Sequence, residues 1–301
     1  MSVPAAAARI ARFTVLMYKP HYLLYGILWV LALEGTAALV TDLGWHPTAA
    51  TVVRIVVVAI VLLFLRMVDE QKDLEYDRVH NPDRPLVTGA VRATDLRVAM
   101  GFIAIVSVAA SLALSVGSAV MIAAALGYGL ALWGMEPLFL TVRTNILINL
   151  VVTYPVQLLV TAYVVVSAID TGAVGARWRA AAVAVIFAGA FLHFEFARKT
   201  TRTFRPGAMM YSNILGANGS AAAALLCAMV AVVGDVVLVR PWAQVGPAAL
   251  IAWIPLPLLL IPAFGFWRFG AQGRSDHPVL PAVFFILALY LVLIAQASVA
   301  S

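Results

Sequence analysis

Charge is what this sequence has least of. Only 11% of its residues are Asp, Glu, Lys or Arg, against about a quarter in ordinary soluble domains, which excludes a solvated surface over most of the chain. Cysteine is nearly missing too. Cys227 stands alone, so no disulfide forms within the chain, and its place in an apolar run marks it as a small packing residue. Acidic residues number 14 against 20 Lys and Arg. The basic surplus flanks apolar segments, where membrane orientation accounts for it without nucleic acid. The N-terminus carries Arg9, Arg12 and Lys19 but no compact apolar core followed by a small-residue cleavage site. It reads as a retained amphipathic helix lying at the membrane interface.

What is present instead is hydrocarbon: 63% of the 301 residues are hydrophobic. The apolar runs lie near 21–42, 48–66, 96–116, 118–137, 145–168, 178–195, 219–239, 247–267 and 279–299. Each is close to the roughly 20 residues that cross a hydrocarbon layer. The expected fold is an all-α polytopic membrane protein, with about nine transmembrane helices around a central cavity. Pro155, Pro255, Pro257 and Pro262 fall inside spans five and eight and predict interrupted helices.

Nine spans put the two termini on opposite sides, so the connections form two sets. One set, with the N-terminal segment, holds 16 of the 20 Lys and Arg; the other holds only Arg177, Arg179 and Arg240, with Arg54 near the start of span two. Positive charge marks the cytoplasmic side, so an integral inner- or plasma-membrane protein with a cytoplasmic N-terminus is expected. The two long polar connections, 67–95 and 196–218, belong to that face. They follow spans two and six, which predicts one transmembrane domain over 1–301 with pseudo-repeated halves of roughly 1–137 and 138–301. A site formed by both loops would draw on both halves.

The first connection concentrates the acids. Residues 66–89 hold six of the 14, and Asp69, Asp73 and Asp77 recur every four positions, with Glu70 one step round. On a continuous helix these three stack along one face. Like-charged i,i+4 pairs cost roughly 0.2–0.5 kcal/mol each, so the cluster calls for a cation. Hard oxygens at this spacing suit Mg2+, which takes a carboxylate or two plus waters and substrate phosphates. The plainer alternative is a solvated charged loop balanced by Lys72, Arg78 and Arg84. Asn81-Pro82 and Arg84-Pro85 then end the helix, placing Arg84 to meet a phosphate.

The second connection is basic. Glu195 is followed by Arg198, Lys199, Arg202 and Arg205. Either Glu195 ligates or orients a metal while Arg198 and Lys199 hold phosphate oxygens, or the cations anchor a helix end to lipid head groups. Arg143 and Asn149 are weaker candidates on the same face, Arg143 as a phosphate ligand or an interface anchor. Tyr128, Tyr154, Gln157, Tyr163 and His193 are polar groups within spans that bond neighbouring helices or line a pocket. Glu136 and Asp235 fall near span ends, and Glu34 lies deeper in span one, where a carboxylate is costly.

Asp69-Glu-Gln-Lys-Asp73-Leu-Glu-Tyr-Asp77, followed by Arg84-Pro85-Leu86 and Gly89, resembles the first Asp-rich motif of the UbiA superfamily of intramembrane prenyltransferases. In that pattern Asp69 takes the Asn position, Glu70 the first Asp position, and Asp73 and Asp77 match directly. The nine spans and two cytoplasmic loops extend the resemblance over the whole chain. Where the family carries a second Asp-rich motif after its sixth helix, this chain has Glu195, Arg198 and Lys199. The family's Tyr-x-x-x-Lys element is represented by Phe139 and Arg143.

The resemblance implies an enzyme that ionises an isoprenyl diphosphate and transfers the prenyl group to an aromatic or other lipophilic acceptor within the membrane lipid. Asp69, Glu70, Asp73 and Asp77, with Glu195, would hold Mg2+. Arg84, Lys199, Arg198 and Arg143 would stabilise the leaving diphosphate. The alternatives are a UbiA-type membrane terpene cyclase, which shares the ionisation step, and a cation-binding transporter, which would place its acids nearer the bilayer midplane.

Overall fold

The computed structural model describes residues 3–135, 140–271 and 275–300, apart from the side chains of Val3, Leu140 and Arg143. Helices account for the architecture. Among the described residues the only β pairing is one antiparallel bridge between Thr201 and Asp276. Helices are what the composition demands, because hydrocarbon offers no partner to a peptide group and a helix satisfies its own.

Nine helices among the described residues are long and apolar enough to cross a membrane: Pro20–Val40, Ala49–Lys72, Ala93–Leu112, Val116–Met135, Ile146–Asp170, Trp178–Arg198, Ser212–Ala243, Gly246–Ala271 and Val279–Val299. A helix over Val3–Met17 precedes them. It is pinned to the start of span three by a two-pronged ion pair, Arg9 Nε to Asp95 Oδ2 at 2.7 Å and Arg9 Nη2 to Asp95 Oδ1 at 2.9 Å.

The expected interruptions occur, in a mild form. Span five divides into Ile146–Thr153 and Pro155–Asp170, and span eight into Gly246–Trp253, Pro255–Leu258 and Leu260–Ala271. The junction residues Tyr154, Ile254 and Leu259 keep right-handed helical dihedrals. The prolines therefore remove ladder hydrogen bonds without redirecting the backbone. A sharper break lies just ahead of the span expected from about residue 219. Ser212–Leu215 form a turn before Gly216, whose φ of 71° and ψ of 163° lie outside helical space, a conformation open to glycine and strained for other residues.

The chain groups into two compact units. The first comprises residues 1–30, 48–140 and 155–171, in which spans two to four pack with the second half of span five. Phe64, Met67, Leu96, Ile122, Ala125 and Tyr163 are buried in it. The second comprises 31–47, 141–154 and 172–301. Spans six and seven form its tightest pair, because Gly189 brings the two backbones together: a Cβ there would lie 2.7 Å from the Cys227 carbonyl oxygen. Spans one and five contribute residues to both units.

Candidate functional site

Span two runs past the apolar core to Lys72, breaks at Asp73 (φ −86°, ψ 11°), and resumes as a helix over Leu74–His80. The ladder survives the break: the amides of Asp73, Asp77 and Asn81 each donate, at 2.8 Å, to the carbonyl four residues earlier. Asn81 then leaves helical space at φ −140°, as a residue before proline should. The turn that follows carries Arg84 back toward the acids.

Glu70 and Asp77 are both about 1% exposed. Seven residues apart, they share a helix face two turns long. Arg84 Nη1 lies 2.9 Å from Asp77 Oδ2 and 3.3 Å from Glu70 Oε2. Arg66 Nη2 reaches that same Glu70 oxygen at 3.4 Å, and Asn81 Nδ2 donates to Asp77 Oδ1 at 2.8 Å. Asp73, a third exposed, pairs instead with Lys72 at 2.6 Å. Asp69 is half-buried and lies within electrostatic range of Lys72, Asp73, Arg66 and Arg84. The buried pairing is thus Glu70 with Asp77, which share a face at i,i+7, rather than the Asp69–Asp73–Asp77 stripe expected from spacing, and Asp73 pairs with Lys72.

The second cluster belongs to the second unit. Glu195, at the end of span six, accepts from Arg198 Nε at 2.6 Å and from Arg198 Nη2 at 2.5 Å through Oε2. Its Oε1 pairs with Lys199 Nζ at 2.7 Å and accepts from the Tyr211 hydroxyl at 3.4 Å. Burial, and after it the Glu195 carboxylate, push the Tyr211 phenol well above its usual range, so it remains a donor. Lys199 ends the helix at φ −115°, ψ 30°, and its carbonyl accepts from the Tyr211 amide at 3.1 Å. The loop beyond is stapled to the connection before span nine. Arg202 N donates to the Ser275 carbonyl at 2.6 Å, His277 N to that of Thr200 at 3.0 Å, and Arg205 pairs with Asp276 at 2.7 Å.

The Arg143 side chain, Glu136 and Phe139 lie outside the described residues. Asn149 Nδ2 donates to the Val142 carbonyl at 3.2 Å, a local bond from the first turn of span five back to the segment before it. His193 is buried, with Nδ1 on the Ala224 carbonyl at 2.8 Å; Tyr163 accepts from Ser111; Glu34 accepts from Trp45 Nε1 at 3.2 Å. Asp235 accepts from Gln296 Nε2 at 3.1 Å and is fully buried. Sequence reasoning passed over Arg66, Asn81 and Tyr211. The first two were legible as i,i+4 partners of Glu70 and Asp77. Tyr211, 16 residues from Glu195, left no local signal.

The donor set in the first connection suits Mg2+. Glu70 Oε1 is buried with no hydrogen-bond partner, and Glu70 and Asp77 present hard oxygens of the kind that ion prefers. Among the described residues no three His, Cys, Asp or Glu side chains gather as a metal cage. That leaves the open arrangement in which one or two carboxylates act with substrate phosphates and water. Glu195, already bonded by two cations and a phenol, is the weakest donor of the set.

The chain is an integral membrane protein with the UbiA fold. It superposes on a UbiA homologue from Aeropyrum pernix K1 with a TM-score of 0.63 and 18% identity, over 91% of this chain and 97% of that one. A digeranylgeranylglyceryl phosphate synthase gives 0.57 and 11%, over 97% and 99%. A UbiA homologue from Archaeoglobus fulgidus, bound to GPP and Mg2+, gives 0.56 and 15%, over 92% and 97%. The sequence matches no protein-family model and no curated protein.

Proposed function

We infer that the protein is a Mg2+-dependent intramembrane prenyltransferase that ionises an isoprenyl diphosphate. One observation carries the reading: two buried carboxylates, Glu70 and Asp77, share Arg84 at the end of span two, in a chain whose fold is that of a homologue bound to GPP and Mg2+. Glu70 and Asp77, with Asp73 and Asp69, hold the ion; once bound it neutralises charge on the diphosphate oxygens. Arg84 binds the diphosphate as a planar fork. Arg198, Lys199 and Arg143 are assigned to diphosphate binding on the sequence resemblance. In this reading Glu195 serves chiefly to hold Arg198 and Lys199 in place, a division that its three bonded donors support.

The C–O bond of the allylic diphosphate breaks with its electron pair going to the diphosphate oxygen, where preorganised cations typically contribute several kcal/mol. The allylic cation is then captured by an electron-rich carbon or oxygen of a lipophilic or aromatic acceptor, which gives up the proton on that atom to the released diphosphate or to water. The sites face the cytoplasm in this reading, as the Lys and Arg count indicates.

The test is to incubate the purified chain in detergent with Mg2+ and allylic diphosphates of increasing length, with and without aromatic acceptors. Prenylated acceptor is the expected product. A hydrocarbon formed without acceptor would reassign the protein as a terpene cyclase, and cation flux after reconstitution into vesicles, with no diphosphate release in detergent, would reassign it as a transporter.

A further inference from the structure

The position of Arg84 bears on the order in which the site fills. A cation that bridges two carboxylates sits where each supplies one oxygen. Between Glu70 Oε2 and Asp77 Oδ2 that position is taken by Arg84 Nη1, at 3.3 and 2.9 Å. Arg66 Nη2, at 3.4 Å, adds a second positive group beside the Glu70 oxygen. A divalent ion approaching these oxygens would meet two guanidinium charges at close range, so Glu70 and Asp77 would hold it together only once Arg84 had moved aside.

Resting on the function inferred above, we propose that Arg84 keeps the metal position closed until a diphosphate arrives, making Mg2+ binding conditional on the substrate. The diphosphate supplies what the exchange needs: it offers Arg84 a bidentate anionic partner and brings negative charge that favours the metal. Arg84 sits in the turn after Asn81, whose carbonyl accepts its amide at 3.1 Å, and its side chain is 23% exposed. It borders an open depression lined also by Leu16, Met17, His80, Asn81 and Asp83, so the guanidinium swings outward without unpacking a span. Asn81 Nδ2 remains on Asp77 Oδ1 at 2.8 Å, which keeps the carboxylate oriented while Oδ2 changes partner. Glu70 Oε1, buried and without a hydrogen-bond partner, is a further oxygen for the incoming ion. Arg84 is therefore a residue with two stations, on the acids and on the phosphate.

The readout is Mn2+ binding to the full chain in detergent, followed by the loss of the free-ion electron paramagnetic resonance signal, alone and with geranyl thiolodiphosphate, which does not ionise readily. Wild type should bind Mn2+ at least tenfold more tightly with the analogue than without it. Arg84→Gln should bind Mn2+ alone at least tenfold more tightly than wild type, and Arg84→Gln with Asp77→Asn should lose that gain. Should Arg84→Gln not fold, Arg84→Met tests the same point, because it keeps an unbranched side chain while removing the charged nitrogen that reaches both carboxylates, and its Mn2+ affinity alone should rise. Mn2+ binding that is unchanged by the Arg84 substitutions, or equally tight with and without the analogue, overturns the proposal while leaving the metal site standing. No Mn2+ uptake in any arm overturns the metal site itself.

Discussion

Glu195 is held at about 6% exposure by Arg198, Lys199 and Tyr211, and its neighbours are more open, with Lys199 at 24% and Arg198 at 44%. Removing one cation leaves a buried carboxylate short of a partner. Lys199→Ala should lower stability by about 1–3 kcal/mol, less than a fully buried pair would lose because the cation is partly solvated. It should also lower kcat/KM for the diphosphate by about 10- to 100-fold, with Lys199→Arg recovering most of the stability; thermal unfolding in detergent and steady-state kinetics separate the two effects. His277 gives a pH signature. It lies between spans eight and nine, is 4% exposed, packs on Phe269 and has no partner at Nδ1. Burial pulls its imidazole below the ordinary 6.5, with a backbone bond to Pro278 opposing. The unfolded chain takes up that proton first, so stability is complete above the unfolded value and falls as pH drops below it. Unfolding temperatures at about pH 7.5 and about pH 5.5 should differ in wild type and differ less in His277→Phe. The residue types of the candidate site were legible in sequence, as was their clustering. Their pairing was not, because Glu70 and Asp77 meet through Arg84, which returns from the turn beyond the helix.

At the scale of elements, apolar length was enough to place the spans, since crossing a hydrocarbon layer constrains little else. The boundaries drifted where polar residues continue a helix beyond the lipid. Span two runs on through Asp69, Glu70 and Gln71 to Lys72, which no apolar count would include. Close approach between helices was also hidden, because it depends on which glycine meets which backbone. Gly189→Ala sets a methyl 2.7 Å from the Cys227 carbonyl oxygen and 2.8 Å from the Ala231 nitrogen, atoms that cannot yield separately. Spans six and seven should be forced apart at a cost of about 1–3 kcal/mol. Gly101→Ala meets nothing within 4 Å and should be neutral or stabilising by up to about 1 kcal/mol, which makes it the control in the same unfolding assay.

For the whole molecule, the Lys and Arg count argues that the N-terminus and both polar connections face the cytoplasm. Cys227 is only half-buried but lies inside span seven, giving a quiet background for reporter thiols. In intact cells, Thr88→Cys should resist a membrane-impermeant maleimide until the membrane is opened, whereas Ala176→Cys, exposed before span six, should react from outside. The reverse pattern would invert the topology. Sequence supplied the class of fold here because the composition admits few alternatives, and the superposition on UbiA homologues at 15–18% identity shows how little sequence that fold retains.

The central claim is that Glu70 and Asp77 hold a Mg2+ ion that helps an isoprenyl diphosphate ionise. The most direct measurement is diphosphate release by purified protein from geranyl diphosphate and its longer homologues, with Mg2+ and with excess chelator, for wild type and Asp77→Ala. The account predicts release that requires Mg2+ and falls by about 100-fold or more in Asp77→Ala. Release that is indifferent to the chelator, or undiminished in the variant, would contradict it.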